Sequence, residues 1–359
     1  MRYPLSMLVL AIFPLMGVCS NQVTEEPTPA SFSSAFINPV TAQHDQASSE
    51  LTPGDFSHLP KAKQFIDRMV EQHNFDPMAL QQLLAQAQHL DWIIRLMDAQ
   101  APSTSAPSGP TGAWNRYKAK FITPDNIQKG VEFWQTYAED LKRAEQLYGV
   151  PAEIIVGIIG VETRWGRVMG STRTLDALAT LAFNYPRRSQ FFTNELASFL
   201  IMSRDEGIDP TTPTGSYAGA MGYGQFMPSS FQQYAVDFNG DGRVNLWDPV
   251  DAIGSVANYF KAHGWRQGEP IAILAKGKAQ GYEHGFHTKY AINTLSKLNL
   301  APTTSLSGQE SVSLLRLDIG DSYQYWLGLP NFYTITRYNH STHYAMAVWK
   351  LGEAVKAAR

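Results

Sequence analysis

Glu162 is the residue whose type and surroundings point most directly to chemistry. It follows Ile158 by four positions and Ile154 by eight, which places it on an apolar face of a predicted helix. A carboxylate there needs a partner, or it stays protonated because its charged form is poorly solvated. A carboxyl group that is protonated near neutral pH can act as a general acid. The alternative is a buried structural glutamate that an arginine such as Arg164 holds.

The helix that must position Glu162 is predicted to start at Pro151, to end near Gly166 and to be buried. Proline suits the first turn of a helix and glycine suits its end. The apolar residues between them leave almost no polar face. Gly157 and Gly160 each lower helix propensity by about 1 kcal/mol relative to alanine, which predicts that another element packs closely against this helix.

Residues 237–248 carry the spacing of an EF-hand-type calcium loop. Oxygen-bearing side chains occupy positions one, three, five, nine and twelve, with Gly242 at position six for the sharp turn. The predicted ligands are Asp237, Asn239, Asp241, the backbone carbonyl of Arg243, Asn245 and Asp248. Position twelve is aspartate where calcium sensors have glutamate, and the loop occurs once. We therefore expect a structural Ca²⁺ that Na⁺ can replace, with a chance Asx-turn loop as the alternative.

The composition excludes several classes of protein. At 359 residues the chain can bury a sizeable core and has the length of roughly two or three domains. The net charge of −3 and the lack of a basic run argue against a nucleic-acid-binding protein. Metalloprotease, serine hydrolase and kinase motifs are missing from the sequence. The 8 Trp, 16 Tyr and 18 Phe residues include rings that suit the faces of sugars, with core packing as the alternative.

The N-terminus has the features of a bacterial export signal. Arg2 precedes an apolar run from Leu5 to Val18, which is too short for a spanning helix. Met16 to Cys19 resemble the lipobox of bacterial lipoproteins, which implies a lipidated Cys19, although Val18 replaces the usual small residue. The alternative is an ordinary signal peptide with an incidental cysteine. As the single cysteine, Cys19 also excludes an intrachain disulfide. No later segment approaches about 18 unbroken apolar residues, so we expect no membrane span in the mature protein.

Apolar periodicity and breaker residues predict a mainly α protein of the α+β class. Residues 20–55 are predicted to form a polar tether. Besides the Glu162 helix, helices are predicted at about 61–72, 76–98, 123–148, 174–183, 188–204, 248–263, 286–298 and 342–356. Strands are predicted at 270–275, 311–318 and 332–338 from alternation and from β-branched or aromatic content. The β portion is therefore small and lies late in the chain.

Three motifs together resemble the membrane-bound lytic murein transglycosylase B family. They are Glu-Thr-Arg-Trp-Gly at 162–166, Gly-Ala-Met-Gly-Tyr-Gly-Gln-Phe-Met-Pro-Ser-Ser at 219–230, and the loop 237–248. The resemblance runs from about residue 60 to the C-terminus. It implies a lysozyme-like helical core with an EF-hand-type loop, a flanking helical domain and a small β domain. The expected divisions are a signal peptide and lipobox at 1–19, the tether at 20–55, a helical domain at 56–150, the catalytic core at 151–265, the β-containing domain at 266–340, and a C-terminal helix at 341–359 that packs on the helical domain.

The resemblance implies cleavage of the β-1,4 bond between N-acetylmuramic acid and N-acetylglucosamine in peptidoglycan. The family's single catalytic acid maps onto Glu162. It protonates the glycosidic oxygen, then takes the proton of the C6 hydroxyl as that oxygen closes on C1, which forms a 1,6-anhydro ring. Most glycosidases instead use two carboxylates. No second acid stands beside Glu162 in the motifs, although Asp176 or Glu195 could approach it in space.

Other family positions carry over as substrate contacts. Ser216 and Gln225 resemble partners for acetamido and hydroxyl groups of the sugars. Five aromatic residues resemble groove residues that line the sugar sites, with core packing as the alternative for each: Tyr117, Phe226, Tyr259, Tyr338 and Tyr344. Arg187 and Arg188 suit the carboxylates of the stem peptide because guanidinium matches carboxylate geometry. Their alternative is a solvated helix start.

The expected partners are peptidoglycan glycan strands and their stem peptides, together with cell-wall synthesis or hydrolysis complexes. The expected location is the periplasmic face of the bacterial outer membrane, with contact through the N-terminal lipid only, or the soluble periplasm if Cys19 is not lipidated. No organic cofactor is expected. Two other functions stay open: a hydrolytic muramidase in which water attacks, and a calcium-stabilised peptidoglycan-binding lipoprotein without turnover.

Overall fold

Helices dominate the part of the chain that the structure describes. The computed structural model describes residues 54–56, 58–99 and 109–359. The predicted signal peptide with Cys19, and the predicted tether apart from residues 54 and 55, lie outside these residues. Within them, thirteen α-helices and seven short strands confirm the prediction of a mainly α protein with a small β portion.

The bounds of the elements follow the chain order. The helices are α1 (Pro60–His73), α2 (Pro77–Ala85), α3 (Asp91–Ala99), α4 (Ala113–Lys118), α5 (Pro124–Thr136), α6 (Ala138–Tyr148), α7 (Ala152–Thr163), α8 (Thr174–Asn184), α9 (Ser189–Asp205), α10 (Pro228–Tyr234), α11 (Pro249–Ala262), α12 (Pro330–Tyr338) and α13 (Thr342–Ala358). The strands are β1 (Thr172–Arg173), β2 (Thr214–Gly215), β3 (Ala272–Gly277), β4 (Tyr290–Ala291), β5 (Leu300–Pro302), β6 (Ser311–Asp318) and β7 (Tyr323–Gly328).

Side-chain caps fix where several helices begin. The side chains of Asp76, Thr123, Asp248 and Ser341 accept hydrogen bonds from backbone amides in the first turns of α2, α5, α11 and α13. In the first three helices a proline occupies the next position, where its missing N–H has no partner to lose. These starts were readable from the sequence because capping depends on local chemistry.

Two predicted long helices are each broken into two, so both predictions are wrong as single elements. The helix expected at 76–98 stops at Ala85 because the next amides bind α8: Gln88 N–H donates to Asp176 and Leu90 N–H to Thr180. The helix expected at 123–148 breaks at Tyr137, whose φ of −112° and ψ of 31° are not helical. Tertiary contacts thus override helix propensity in the first case.

Helix α7 packs against the C-terminal helix α13 at backbone distance. A Cβ added to Gly157 would lie 2.3 Å from the carbonyl oxygen of Val348, and one added to Gly352 would lie 2.1 Å from that of Glu153. Only glycine permits such an approach, which confirms the prediction that another element packs closely on α7. Helix α13 contacts both α7 and α5, and α5 lies in the predicted helical domain.

The late β portion is a five-stranded antiparallel sheet of order β4-β6-β7-β3-β5. The strand predicted at 311–318 is confirmed as β6, and β3 covers most of the one predicted at 270–275. The helix predicted at 286–298 is wrong, since β4 pairs there with β6. The strand predicted at 332–338 is also wrong, because those residues belong to α12, which starts at Pro330.

One buried cluster joins the helices, and a smaller one lies inside the sheet. Among the residues that the structure describes, no single helix is long and apolar enough to cross a membrane. The pair α6 and α7 reaches that length and composition jointly, but it is bent by 115°.

Candidate active site

Glu162 stands in the last turn of α7, where the chain reverses sharply. Arg164, Trp165 and Gly166 all have positive φ, of 51°, 56° and 84°. The indole of Trp165 therefore folds back along the helix and donates to the carbonyl of Val156 at 3.2 Å. Because the turn and the ring fix the end of the helix, the direction of the Glu162 side chain is fixed with them.

Thr163 ties this end of α7 to the segment 219–226. Its hydroxyl is fully buried and lies 3.1 Å from the Ile159 carbonyl and 3.0 Å from the Tyr223 carbonyl. The same oxygen accepts the N–H of Gly166 at 3.1 Å. The first two sequence motifs thus meet at one buried hydroxyl, directly beside Glu162.

The Glu162 carboxyl group lies among phenols. The Tyr344 hydroxyl, from α13, donates to Glu162 Oε1 at 2.5 Å. Burial, and after it the charge of Glu162, raises the pKa of Tyr117 on α4 and of Tyr338 on α12. Burial raises the pKa of Glu162 to about 7, and the bond from Tyr344 opposes that shift. The group is therefore partly protonated near neutral pH, as a general acid must be.

The structural alternative for Glu162 required a partner such as Arg164. Arg164 is exposed, and within the described residues Glu162 makes no ion pair of 4 Å or less. The acids that were expected to approach in space bind elsewhere. Asp176 pairs with Arg173 at 2.6 Å, and Glu195 accepts the amide and hydroxyl of Ser229 at 2.9 and 2.7 Å.

Ser216 and Gln225 lie on the loop segment that Thr163 holds. Ser216 is buried, and its Oγ accepts the amides of Ala218 and Ala220 at 3.3 and 3.1 Å. Gln225 has a left-handed φ of 51°, and its Nε2 donates to the carbonyls of Met169 and Gly222. With its nitrogen engaged, the amide oxygen of Gln225 is the atom that can accept from a ligand.

The five predicted aromatic residues divide into two groups. Tyr344 and the partly buried Tyr117 surround Glu162, as described above. Phe226, Tyr259 and Tyr338 are buried at 9% exposure or less, and their rings pack against one another with centroids 4.8–5.8 Å apart. Tyr338 also donates to the Gly224 carbonyl at 2.5 Å. The second group therefore packs beneath the loop that carries Gln225.

Arg187 and Arg188 lie at the start of α9. Arg187 is exposed and pairs with Asp98 at 3.6 Å, a distance and exposure that contribute little stability. The guanidinium of Arg188 lies 4.1 Å from the ring centre of Phe191, and burial lowers its pKa. Both guanidinium groups keep donors available for a carboxylate.

The oxygens of the loop 237–248 turn inward onto its own backbone. Asp237 accepts the amides of Gly240, Asp241 and Gly242 at 2.8–3.1 Å. The Asn239 side chain lies 3.3 Å from an Asp241 carboxylate oxygen. No group of three or more His, Cys, Asp or Glu side chains in the described part is arranged to hold a metal. A cation here would instead rest on a mixed set of carboxylate, amide and carbonyl oxygens, which suits Ca²⁺.

Asp248 and Asp251 share the far end of the loop in an unexpected way. Asp248 Oδ1 caps α11 by accepting the amides of Val250 and Asp251, so its Oδ2 alone stays available to an ion. Asp251 is fully buried and accepts the amides of Phe238 and Asn239 on Oδ1 and of Asn245 on Oδ2. Sequence analysis missed Asp251, although an acid one turn after a capped helix start is a usable signal.

Known proteins are similar to this chain in sequence and in fold. The family described as "Transglycosylase SLT domain" matches residues 57–353. The chain is 60% identical over 356 residues to the membrane-bound lytic murein transglycosylase B of Escherichia coli (strain K12). This match covers 98% of this chain and 97% of the E. coli protein.

Solved structures agree with the sequence comparison. The E. coli lytic transglycosylase Slt35 in complex with calcium is 64% identical, with a TM-score of 0.82 over 86% of this chain and 96% of that one. Slt35 in complex with bulgecin A is 65% identical with the same TM-score of 0.82 and the same coverage, 86% and 96%. SltB3 from Pseudomonas aeruginosa in complex with NAG-anhNAM-pentapeptide is 29% identical, with a TM-score of 0.70 over 82% and 79%.

Proposed function

Since this chain belongs to the transglycosylase SLT-domain family, we propose that Glu162 is the single general acid and base of a lytic transglycosylase. The chain has the lysozyme-like fold of Slt35 and acts on peptidoglycan. The observation that supports the role of Glu162 is its position: an apolar helix end, one phenol donor, and a pKa raised by burial to about 7.

The proposed reaction consumes no water. Protonated Glu162 gives its proton to the glycosidic oxygen while the bond from that oxygen to C1 of N-acetylmuramic acid breaks. The Glu162 carboxylate then takes the proton of the C6 hydroxyl as that oxygen bonds to C1. The products are a 1,6-anhydromuramic acid end and a free 4-hydroxyl on N-acetylglucosamine, and Glu162 regains its proton. A group with a pKa near the working pH suits both transfers.

The phenols around Glu162 support this cycle. Tyr344 can donate to the carboxylate in its charged state, which makes the anion between the two steps less unfavourable. Gln225, on the segment tied to Thr163, and Ser216, which pairs with that segment at Ala220, are proposed to bind acetamido and hydroxyl groups of the glycan. Arg187 and Arg188 supply donors for the carboxylates of the stem peptide.

The products released from intact sacculi test the reaction. Mass spectrometry should find muropeptides with 1,6-anhydro ends, and Glu162→Gln should release none above background. Reducing ends would show that water attacks and that the chain is a hydrolytic muramidase. Full activity in Glu162→Gln would assign the chemistry to another residue.

The loop 237–248 is proposed to hold a structural Ca²⁺ through Asp237, Asn239, Asp241, the carbonyl of Arg243 and Asp248. The inward oxygens fit this role, and an Slt35 structure is described in complex with calcium. Calorimetry on the purified protein should detect Ca²⁺ binding and a rise in Tm, both lost in Asp237→Asn. Absence of heat and of a Tm shift in the wild-type protein would remove the claim, and competition with Na⁺ would identify the preferred ion.

Lipidation of Cys19 is proposed to hold the enzyme at the periplasmic face of the outer membrane. The support is the lipobox-like sequence and the similarity to a transglycosylase named as membrane-bound. Cys19→Ser should move the protein from the membrane fraction to the soluble periplasmic fraction. An unchanged distribution would show that lipidation is not what anchors it.

A further inference from the structure

The short helix α4 holds Tyr117 near Glu162, yet it has little stability of its own. It has only six residues, from Ala113 to Lys118. Isolated helices of that length are not stable in water, so contacts outside the helix must hold it. The Tyr117 ring lies 5.6 Å from the ring of His343, the residue before the Tyr344 that donates to Glu162. Burial, and then the charge of Glu162, raises the pKa of Tyr117. Whatever holds α4 therefore also sets where the Tyr117 hydroxyl lies.

The contacts that hold the start of α4 come from the sheet. Asp318, the last residue of β6, accepts the amide of Thr111 at 2.6 Å and the amide of Gly112 at 2.7 Å, on different oxygens. The Thr111 hydroxyl donates to it at 3.0 Å. These are charge-assisted hydrogen bonds, which are about twice as strong as neutral ones.

Two further contacts complete the same junction. The Asn115 side chain donates to the Ile319 carbonyl at 2.7 Å. A Cβ added to Gly112 would lie 3.5 Å from the Cα of Gly320, so the two backbones approach closely.

Burial alone would raise the pKa of Asp318, but the amides around the carboxylate lower its pKa well below the ordinary value. The carboxylate is thus an anion at any pH at which the enzyme would work.

We propose that Asp318 is a positioning residue, through which the five-stranded sheet holds α4 so that the Tyr117 hydroxyl faces Glu162. The inference rests on the proposed role of Glu162 and gives the sheet a part in the reaction. The titratable groups that face Glu162 come from three elements: Tyr117 from α4, Tyr338 from α12 and Tyr344 from α13. The first of these stands on the helix whose start Asp318 holds.

The test replaces Asp318 by asparagine and follows both structure and rate. Asp318→Asn should speed amide hydrogen exchange in α4 (Ala113–Lys118) and lower kcat on soluble glycan strands by about tenfold. As pH rises, the rate of this variant should begin to fall at a lower pH than that of the wild type. The reason is that water then reaches Glu162, which lowers the pKa of Glu162. Asp321→Asn, an exposed acid in the same turn, is the matched control and should change none of these.

A double substitution separates positioning from simple support of the fold. If Asp318 acts through the Tyr117 hydroxyl, Asp318→Asn should lower kcat less than about twofold in a Tyr117→Phe background. An equal loss in both backgrounds, or a wild-type rate in Asp318→Asn, would overturn the proposal. Asn115→Ala, a milder change at the same junction, should give smaller shifts in the same direction if Asp318→Asn folds poorly.

The two proposals fail in different ways. Hydrogen exchange of α4 in Asp318→Asn reports on the junction even if Glu162 is not the catalytic acid. An active Glu162→Gln variant would refute the proposed function and leave the exchange result unchanged. Unaltered exchange in Asp318→Asn would refute the junction while Glu162→Gln stays inactive.

Discussion

The end of α7 and the loop 237–248 both surround a carboxylate with protein, and they satisfy it in opposite ways. Asp251 accepts three backbone amides at 2.8–2.9 Å. Glu162 accepts one phenol and otherwise meets apolar residues and further phenols. Amide donors cannot move away without unfolding the chain, so Asp251, in the first turn of α11, holds the loop in a fixed position. A single phenol leaves Glu162 able to gain and lose a proton.

The two regions use their carboxyl groups for different purposes. In the loop, carboxylates hold the backbone in place, and a bound ion would hold it more firmly. At the end of α7 the backbone is already fixed by Thr163 and by the turn at 164–166, so the carboxyl group of Glu162 is the part that can change its protonation state.

Replacing Glu162 should have the largest effect. Glu162→Gln keeps the size of the side chain and removes its proton transfer, so the rate of muropeptide release should fall by at least about 10³-fold. The matched control is Glu195→Gln, which removes a buried acid that accepts the amide and the hydroxyl of Ser229. It should lower Tm and keep the rate of the folded protein within about tenfold. Equal rate losses would mean that burial, and not position, makes an acid catalytic.

The same Glu162→Gln variant should be more stable than the wild type at high pH. Glu162 has a pKa of about 7 in the fold against an ordinary value of 4.5. The unfolded chain therefore loses the proton first as pH rises, and wild-type stability falls between about pH 4.5 and 7. Relative to the wild type, the variant should gain about 2–3 kcal/mol of unfolding free energy between pH 4.5 and 8. Denaturant titrations of both proteins at both pH values measure this gain. If the difference in unfolding free energy between variant and wild type is the same at the two pH values, the raised pKa of Glu162 is contradicted.

Replacing Asp251 should affect stability more than chemistry. In Asp251→Asn an amide N–H₂ meets backbone donors, which should lower the unfolding free energy by about 2 kcal/mol. Asp205→Asn, an exposed acid beside Arg204, is the control and should lie within about 0.5 kcal/mol of the wild type. Activity of the folded Asp251→Asn protein at low temperature should stay within about tenfold. A loss as large as that of Glu162→Gln would erase the contrast between the two regions.

Local chemistry explains which parts of the fold were predictable. The helix caps, the close packing at Gly157 and the acid on the apolar face all follow from neighbours in sequence. The strand predicted at 332–338 failed because Thr, Ile and aromatic residues fit either period over seven positions, and Pro330 at a helix start was the better signal.

Long-range contacts explain most of the rest. The partner of Glu162 stands 182 residues away in the sequence, on a helix with no motif of its own. The break after α2 depends on side chains of α8, and the position of α4 depends on Asp318. The twelve-position loop template ended at Asp248 and thereby overlooked Asp251. Apart from Asp251, whose place one turn after a capped helix start is a usable signal, these contacts leave no pattern in their own stretch of sequence.

Removing the Tyr344 hydroxyl should have the smallest effect and should sharpen the contrast most. The hydrogen bond from Tyr344 favours the charged form of Glu162, so its loss in Tyr344→Phe should raise the pKa of Glu162 further above its ordinary value. The fall of kcat at high pH should therefore begin at higher pH than in the wild type. The maximum of kcat should drop by about tenfold, because the carboxyl group loses its fixed direction.

A pH–rate profile on soluble glycan strands distinguishes the role of Tyr344 from mere packing. Tyr282→Phe, an exposed tyrosine whose hydroxyl donates to the Lys297 carbonyl, is the control and should leave the profile in place. A shift of the Tyr344→Phe profile to lower pH would mean that water replaces the phenol and stabilises the anion better. In that case hydrogen-bond donors would stabilise the anionic form of Glu162, as backbone amides do for Asp251. The apolar end of α7 would then not be what keeps its proton in place.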